Sequence, residues 1–306
     1  MIDERFVALL LVAAVAIAGP LLIVALGELI SETAGVINIE LEGMMLAGAF
    51  TGVVGALLSQ SIAVAFLAAG AGGVIVAVLH GIACFWFRAN QVVSGIILNI
   101  LALGVTTFLL VSVLGADVTQ TVVRLDRITI PLLSDIPVLG RALFSQNALV
   151  YAAFLGVPLI WWILDRTPFG LALRAAGERP EAAESLGINV RRTRWVALVI
   201  CGALAGLGGG LLTLGGLGFF TPNVTAGRGF IALAAVVFGR WRPMGIMAAV
   251  LLFGVADALQ IRAQTLGLPI PYQLLVALPY LVTIIALAGL VTRMRPPAAL
   301  GVNYEG

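Results

Sequence analysis

The residues best able to do chemistry in this 306-residue sequence are a few acids and amides set among long apolar runs. Glu28, Glu32, Glu40 and Glu42 cluster around the second apolar run, and Asp257 lies within the eighth. Asn38, Asn99 and Gln260 add neutral hydrogen-bonding groups, Asn99 near the middle of the fourth run. A charge inside a bilayer is expensive, so an ionisable side chain at membrane depth is a functional candidate by default. Such groups have two uses: lining a polar path for a solute, or satisfying the backbone of an interrupted helix. The four glutamates lie near the ends of apolar runs, which points to the second use. Asn99 suits either.

Other chemistries are excluded by counts. One histidine, His80, rules out a multi-histidine metal centre and any Ser/His/Asp or Cys/His relay beyond that single ring, and it reads as a packed helix residue. Cys84 and Cys201 both sit in apolar runs and form neither a ligand cluster nor a disulfide framework. All seventeen basic residues are arginine, so the lysine that a P-loop needs on its phosphates is missing. Gly206–Gly210 is no dinucleotide fingerprint. Gly202, Gly206 and Gly210 instead recur every four residues, as do Gly48 and Gly52, a pattern that lets helices approach closely in lipid. Phe219 and Phe220 are placed to anchor a membrane edge, with stacking on a planar solute as a secondary use.

The elements that position these groups are membrane helices. Hydrophobic residues make up 61% of the chain and charged residues 10%, with mean hydropathy +1.13. A soluble domain is about half apolar and about a quarter charged, so a polytopic all-α membrane protein is expected. Nine apolar segments are legible, within a range of about eight to ten: 6–27, 41–58, 61–86, 91–114, 147–164, 195–217, 229–239, 243–261 and 272–292. The first lacks a basic n-region and cleavage site and reads as a retained helix. The seventh is too short to cross, which predicts a half-helix. A loose similarity links 34–58 with 223–255, and repeats with interrupted helices mark transporters and point to the binding pathway. The stretch 115–146 forms one long polar loop on the outer face. Placing the charged stretch 165–194 inside the cell puts every arginine but Arg5, Arg124, Arg127, Arg141, Arg228 and Arg262 on that side, eleven of seventeen, as the positive-inside rule requires. The N-terminus is then outside and the C-terminus cytoplasmic.

Within 165–194 the sequence encodes a short helix at 180–187. Pro180 suits a first turn. Glu181 and Glu184 favour the positive end of the helix dipole. Ala182, Ala183 and Leu186 offer apolar positions, Ser185 a polar one, and Gly187 a left-handed stop. So short a helix is marginal alone in water and needs a partner surface.

Four stretches resemble the permease subunits of nucleoside and simple-sugar ABC importers: SETAGVINIELEGMMLAGAF (31–50), ANQVVSGIILNILALGVTTFLL (89–110), TPFGLALRAAGERPEAAESLGINVRRTRWVA (167–197) and TAGRGFIALAAVVFGRWRPMGIMAAVLLFGVADALQ (225–260). They span most of the chain in order, and the smaller of the two nucleoside permeases is the nearest type. Glu40 departs from the pattern, which has a small residue after the Asn-Ile pair. The resemblance implies a multi-pass bacterial inner-membrane subunit that binds no cofactor and no nucleic acid. It implies a second, paralogous permease as partner, and a substrate-binding lipoprotein on the outer face. It also implies a cytoplasmic ATPase, carrying ATP and Mg²⁺, docked on Pro180, Glu181, Ala182, Ala183, Glu184, Ser185, Leu186 and Gly187, with Arg174 and Arg191 flanking. Asn38, Glu42, Asn99 and Phe230 are expected to line the path. The rival is an ion-coupled secondary transporter using Glu42 and Asp257, for which the helix at 180–187 has no purpose.

Overall fold

A computed structural model describes residues 4–115, 122–265 and 295–304, with single positions between 271 and 281. The described chain is helical except for one small ribbon. In order, the elements are α1 (Glu4–Thr33), α2 (Leu41–Ser59), α3 (Ile62–Gly81, closed by a π-helical turn Ile82–Trp86), α4 (Gln91–Leu114), β1 (Arg127–Thr129), α5 (Gly140–Phe144), β2 (Ser145–Asn147), α6 (Ala148–Arg166), α7 (Pro168–Glu178), α8 (Pro180–Ser185), α9 (Val190–Leu212, closed by a π-helical turn Thr213–Leu217), α10 (Arg228–Phe238) and α11 (Pro243–Thr265). Among the described residues, seven helices are long and apolar enough to cross a membrane. The expected half-helix is α10, eleven residues long. The ninth expected segment, 272–292, lies outside the described residues but for those single positions.

Helix starts follow local chemistry. Asn90 accepts from the Val92 and Val93 amides at 3.0 and 3.1 Å. Asn147 and Asn189 cap α6 and α9 by accepting from Val150 N at 3.1 Å and Arg192 N at 2.7 Å. Thr167 caps α7, with Pro168 in the first turn.

The bundle is organised around α1, buried from Pro20 to the end of the helix, and α9. α9 packs between α2 and α3 through backbone-to-backbone contact. A Cβ at Gly209 would meet the Met45 carbonyl, and one at Gly206 the Ala69 carbonyl. One at Gly48 would meet the Gly206 backbone, and one at Gly210 would lie 2.7 Å from Ala69 Cβ. Gly202 faces Ala77 and Gly73 on α3. Lipid supplies no hydrophobic drive between helices, so close approach by small residues is what holds such a bundle. By contrast α4 leaves Ile97, Ile100, Phe108 and Val111 exposed, a face suited to lipid or to another subunit.

One face of the bundle gathers the end of α1, the α3–α4 turn, α7, α8 and the tail 295–304. Ala299 N donates to Gly177 O at 2.8 Å, and Asn303 Nδ2 to Arg88 O at 3.0 Å. The opposite face carries the β1–β2 ribbon, paired antiparallel as Arg127↔Asn147, Ile128↔Gln146 and Thr129↔Ser145. There Gln146 Nε2 reaches Val12 O at 3.4 Å and Arg124 Nη2 reaches Leu217 O at 2.9 Å. Between Leu217 and Trp241 the chain returns as an irregular half followed by the helical half α10. Phe220 packs edge-on against Phe50 at 5.3 Å and is 1% exposed, so it is a core residue and not an edge anchor.

This packing yields a test. Gly206→Leu, confined by backbone, is expected to lower stability by about 3 kcal/mol or more. Gly104→Ala, mid-helix with open space around it, is expected to hold or raise stability, by up to about 1 kcal/mol. Thermal unfolding in detergent measures both, and equal melting temperatures would contradict the packing account.

Candidate functional site

α1 does not run into α2. Gly35 adopts φ +88°, and residues Ala34–Glu40 form an irregular break inside the bundle. A break frees helix-end carbonyls and amides, and away from water each must find a partner. Side chains of α1, α4 and α9 and one backbone amide of the tail supply them. Arg194 Nε donates to Ala34 O at 3.0 Å. Gly301 N donates to Gly35 O at 3.1 Å. Ile37 N donates to Gln91 Oε1 and Asn38 N to Glu28 Oε1, both at 3.0 Å. Asn99 bridges the start of α2: its Nδ2 donates to Ile39 O at 2.8 Å and its Oδ1 accepts from Gly43 N at 2.7 Å. It thus replaces the i→i−4 bond that Gly43 and Ile39 would share in a continuous helix.

A second break precedes α10, where Asn223 and Ala226 take φ +56° and +46° and Gly227 takes +83°. Glu42 satisfies it. Its Oε1 accepts from Thr225 Oγ1 at 2.5 Å and Gly227 N at 2.7 Å, and its Oε2 from Gly229 N at 2.7 Å. The carboxylate therefore sits at the positive end of α10, and Gly229 has no side chain because the Glu42 backbone occupies that space. The first turn of α2 and the first turn of α10 lock each other.

The four residues expected to line a path all fall at these two breaks, with different exposures. Asn38 is fully buried; its Nδ2 donates to Glu28 Oε2 at 2.6 Å. Glu42 is buried at 8% exposure. Asn99 is half-buried, and Phe230, one residue past Gly229, is 47% exposed. Asp257 is half-buried on α11. Among the described residues no group of three His, Cys, Asp or Glu side chains is placed to hold a metal.

Several partners were not anticipated from the sequence. Arg194, 2% exposed, spends its guanidinium on three carbonyls: Ala34, Val302 at 2.8 Å and Ala176 at 3.4 Å. Its signal was present, since 190, 194, 197, 198 and 201 share one helix face and the other four are apolar and buried. Trp241 Nε1 donates to Glu32, and Cys201 Sγ to Glu28 Oε2 at 3.3 Å. Glu40, the departure from the family pattern, lies beside His80: Nδ1 is 3.2 Å from Oε2 and both side chains are fully buried.

On the same face as Arg194, α8 spans Pro180–Ser185, with Leu186 and Gly187 ending it; Gly187 takes φ +86°. Ala183 is buried against Ala176 and Val190, so α8 is fixed to α7 and α9. Ala182, Glu184 and Ser185 face out, and Leu186 is 82% exposed. Arg174 pairs with Asp165 beside α7, and Arg191 is exposed at the start of α9.

Two fully buried polar groups 3.2 Å apart should be worth more together than apart. His80→Leu leaves the Glu40 carboxyl facing an apolar surround and is expected to cost about 1–3 kcal/mol. Adding Glu40→Ala should restore most of that, as read from melting in detergent. Additive losses would contradict the pairing.

Comparison with known proteins gives the same architecture a lineage. The chain is 42% identical over 299 residues to the guanosine ABC transporter permease protein NupQ of Bacillus subtilis (strain 168), covering 94% of this chain and 93% of the relative. It is 38% identical over 294 residues to the nucleoside ABC transporter permease protein NupC of Lactococcus lactis subsp. cremoris, covering 93% of each. It is 37% identical, over 98% of each chain, to TsgC13 of Haloferax volcanii, provisionally named a glucose ABC transporter permease. The model of one family, described as branched-chain amino acid transport system / permease component, matches residues 10–287. A multi-pass helical chain matched over nine-tenths of its length in this way belongs to that permease family.

Proposed function

We propose that this permease forms the translocation path for a nucleoside in an ATP-driven importer, as one half of a membrane dimer. The observation that carries the reading is α8. A six-residue helix is fixed to α7 and α9 through Ala183 while Ala182, Glu184, Ser185 and Leu186 all face outward, a short helix built to present one face to a partner. The face bearing α8 also bears Arg88, Arg166, Arg179, Arg191 and Arg192, and we read it as cytoplasmic, with the N-terminus outside. The partner on α8 is the ATPase subunit, which carries ATP and Mg²⁺. The names of the relatives support nucleoside as the substrate class, with a simple sugar as the second choice. NupP of the same Bacillus and NupB of the same Lactococcus are also similar to this chain, at 27% and 26% identity, which supports a paralogous permease as the other half of the dimer.

The mechanism is alternating access. A ligand that binds two conformations equally shifts neither, so the binding protein outside and ATP inside must favour different arrangements. Motion delivered to α8 reaches the α1–α2 break through backbone. Arg194 ties Ala176 of α7 to Ala34 of the break, and the Gly177 backbone lies against Thr33. The break in turn holds α10 through Glu42. In this reading Asn38 and Glu42 act by holding the breaks, while Asn99 and Phe230, the less buried pair, face the solute. An ion site at Glu42 gains no support, because three donors already occupy both carboxylate oxygens.

The double variant Glu184→Arg with Leu186→Asp is expected to abolish recovery of the ATPase with the tagged permease and to stop guanosine uptake. The melting temperature of the permease should stay unchanged, since both side chains are exposed. Wild-type ATPase recovery and uptake in that variant would overturn the reading.

A further inference from the structure

The tail 295–304 is not a free end. Ala299 N donates to Gly177 O, Gly301 N to Gly35 O, and Val302 O accepts from Arg194 Nη1. Asn303 closes the α3–α4 turn: its Nδ2 donates to Arg88 O and Ala89 O, each at 3.0 Å, and its Oδ1 accepts from Gln91 Nε2 at 3.3 Å. Tyr304 then reaches α8. Its ring packs against the cluster of Ala176, Ala183 and Val190, and its hydroxyl donates to Glu184 Oε2. That hydrogen bond to the carboxylate holds the phenol above its ordinary pKa.

Between α8 and the tail runs an open groove of about 770 Å³, lined by Pro180, Glu181, Glu184, Ser185 and residues 302–304. Its charged side chains are two exposed carboxylates, and among the described residues neither pairs with a guanidinium. Leu186 stands exposed one residue beyond the groove wall. A groove with acidic walls beside an apolar knob fits a protein partner that presents a cation next to an apolar pocket.

Resting on the ATPase reading of α8, we propose that the docking surface is composite. The ATPase seats on α8 and on Val302–Tyr304 together, and it places a basic side chain in the groove between them, against Glu181 and Glu184. Tyr304 fixes the Glu184 side chain in the orientation that receives it, and the tail sets the width of the groove. The tail is therefore a positioning strap for the partner and not only a brace for the fold.

The test uses the whole transporter, with the tagged permease, its partner permease and the ATPase co-expressed, and reads ATPase affinity on solubilised complexes alongside the permease melting temperature. Tyr304→Phe keeps the ring on Ala183 and removes only the hydroxyl. It should weaken ATPase binding roughly threefold to tenfold, as expected for one hydrogen bond to a charged group at a partly solvated site, with no change in melting temperature. Asn303→Ala with Tyr304→Ala should weaken it further. Glu181→Gln with Glu184→Gln should weaken binding and flatten its salt dependence. If the tail variants bind the ATPase as the wild type does while Glu184→Arg with Leu186→Asp does not, the composite surface is wrong and the α8 reading stands. If the wild type itself retains no ATPase, both fall.

Discussion

A polypeptide that interrupts its helices inside a bilayer must hydrogen-bond every group it frees, and in this permease that demand fixes where nearly all the informative polar side chains go. The α1–α2 break frees carbonyls at Ala34, Gly35 and Ile39 and amides at Ile37, Asn38 and Gly43. Each is met by one named donor or acceptor from α1, α4, α9 or the tail. The break before α10 is met by Glu42, which draws on both of its oxygens, and by Arg228 Nη1, which donates to Thr225 O at 3.2 Å. Replacing these partners with water is not an option at that depth, so the segments that supply them cannot drift apart without cost.

The same constraint ties the small helix to the interrupted one. Ala183 fixes α8 to α7 and α9, and Arg194 fixes α7, the break and the tail to one guanidinium. Arginine suits this role because its planar fork addresses several carbonyls at once while remaining charged. The glycine contacts between α2, α3 and α9 complete the rigid unit, since no side chain lies between the backbones to absorb displacement. A continuous chain of hydrogen bonds and packed backbone thus joins α8 to α10, the connection that the proposed importer would use.

Much of this was legible in the sequence, for reasons that differ by residue. Apolar runs long enough to span lipid fixed the helices, and the short run at 229–239 marked α10 because eleven residues cannot cross. Proline, two early glutamates and a glycine marked α8. The use of Glu28 and Glu42 to satisfy interrupted backbone followed from their place at run ends. Glu40–His80 was not legible, because forty residues separate two groups that only the packing of α2, α3 and α4 brings together. Arg194 was hidden by its neighbours: Arg191 and Arg192 made it look like one more interfacial charge, although its helix face is apolar. The tail is illegible in the sequence for the opposite reason. It has no periodicity at all, and its structure consists of backbone and amide bonds to other segments.

The most direct test of the account is the ratio of solute imported to ATP hydrolysed, measured in proteoliposomes with Arg194→Lys. Lysine keeps the charge but cannot serve the three carbonyls, so α8 should still hold the ATPase while its motion no longer reaches the break. The account predicts that ATP hydrolysis persists and that uptake per ATP falls by roughly tenfold or more, the equivalent of one or two lost buried hydrogen bonds. A ratio equal to that of the wild type would contradict it.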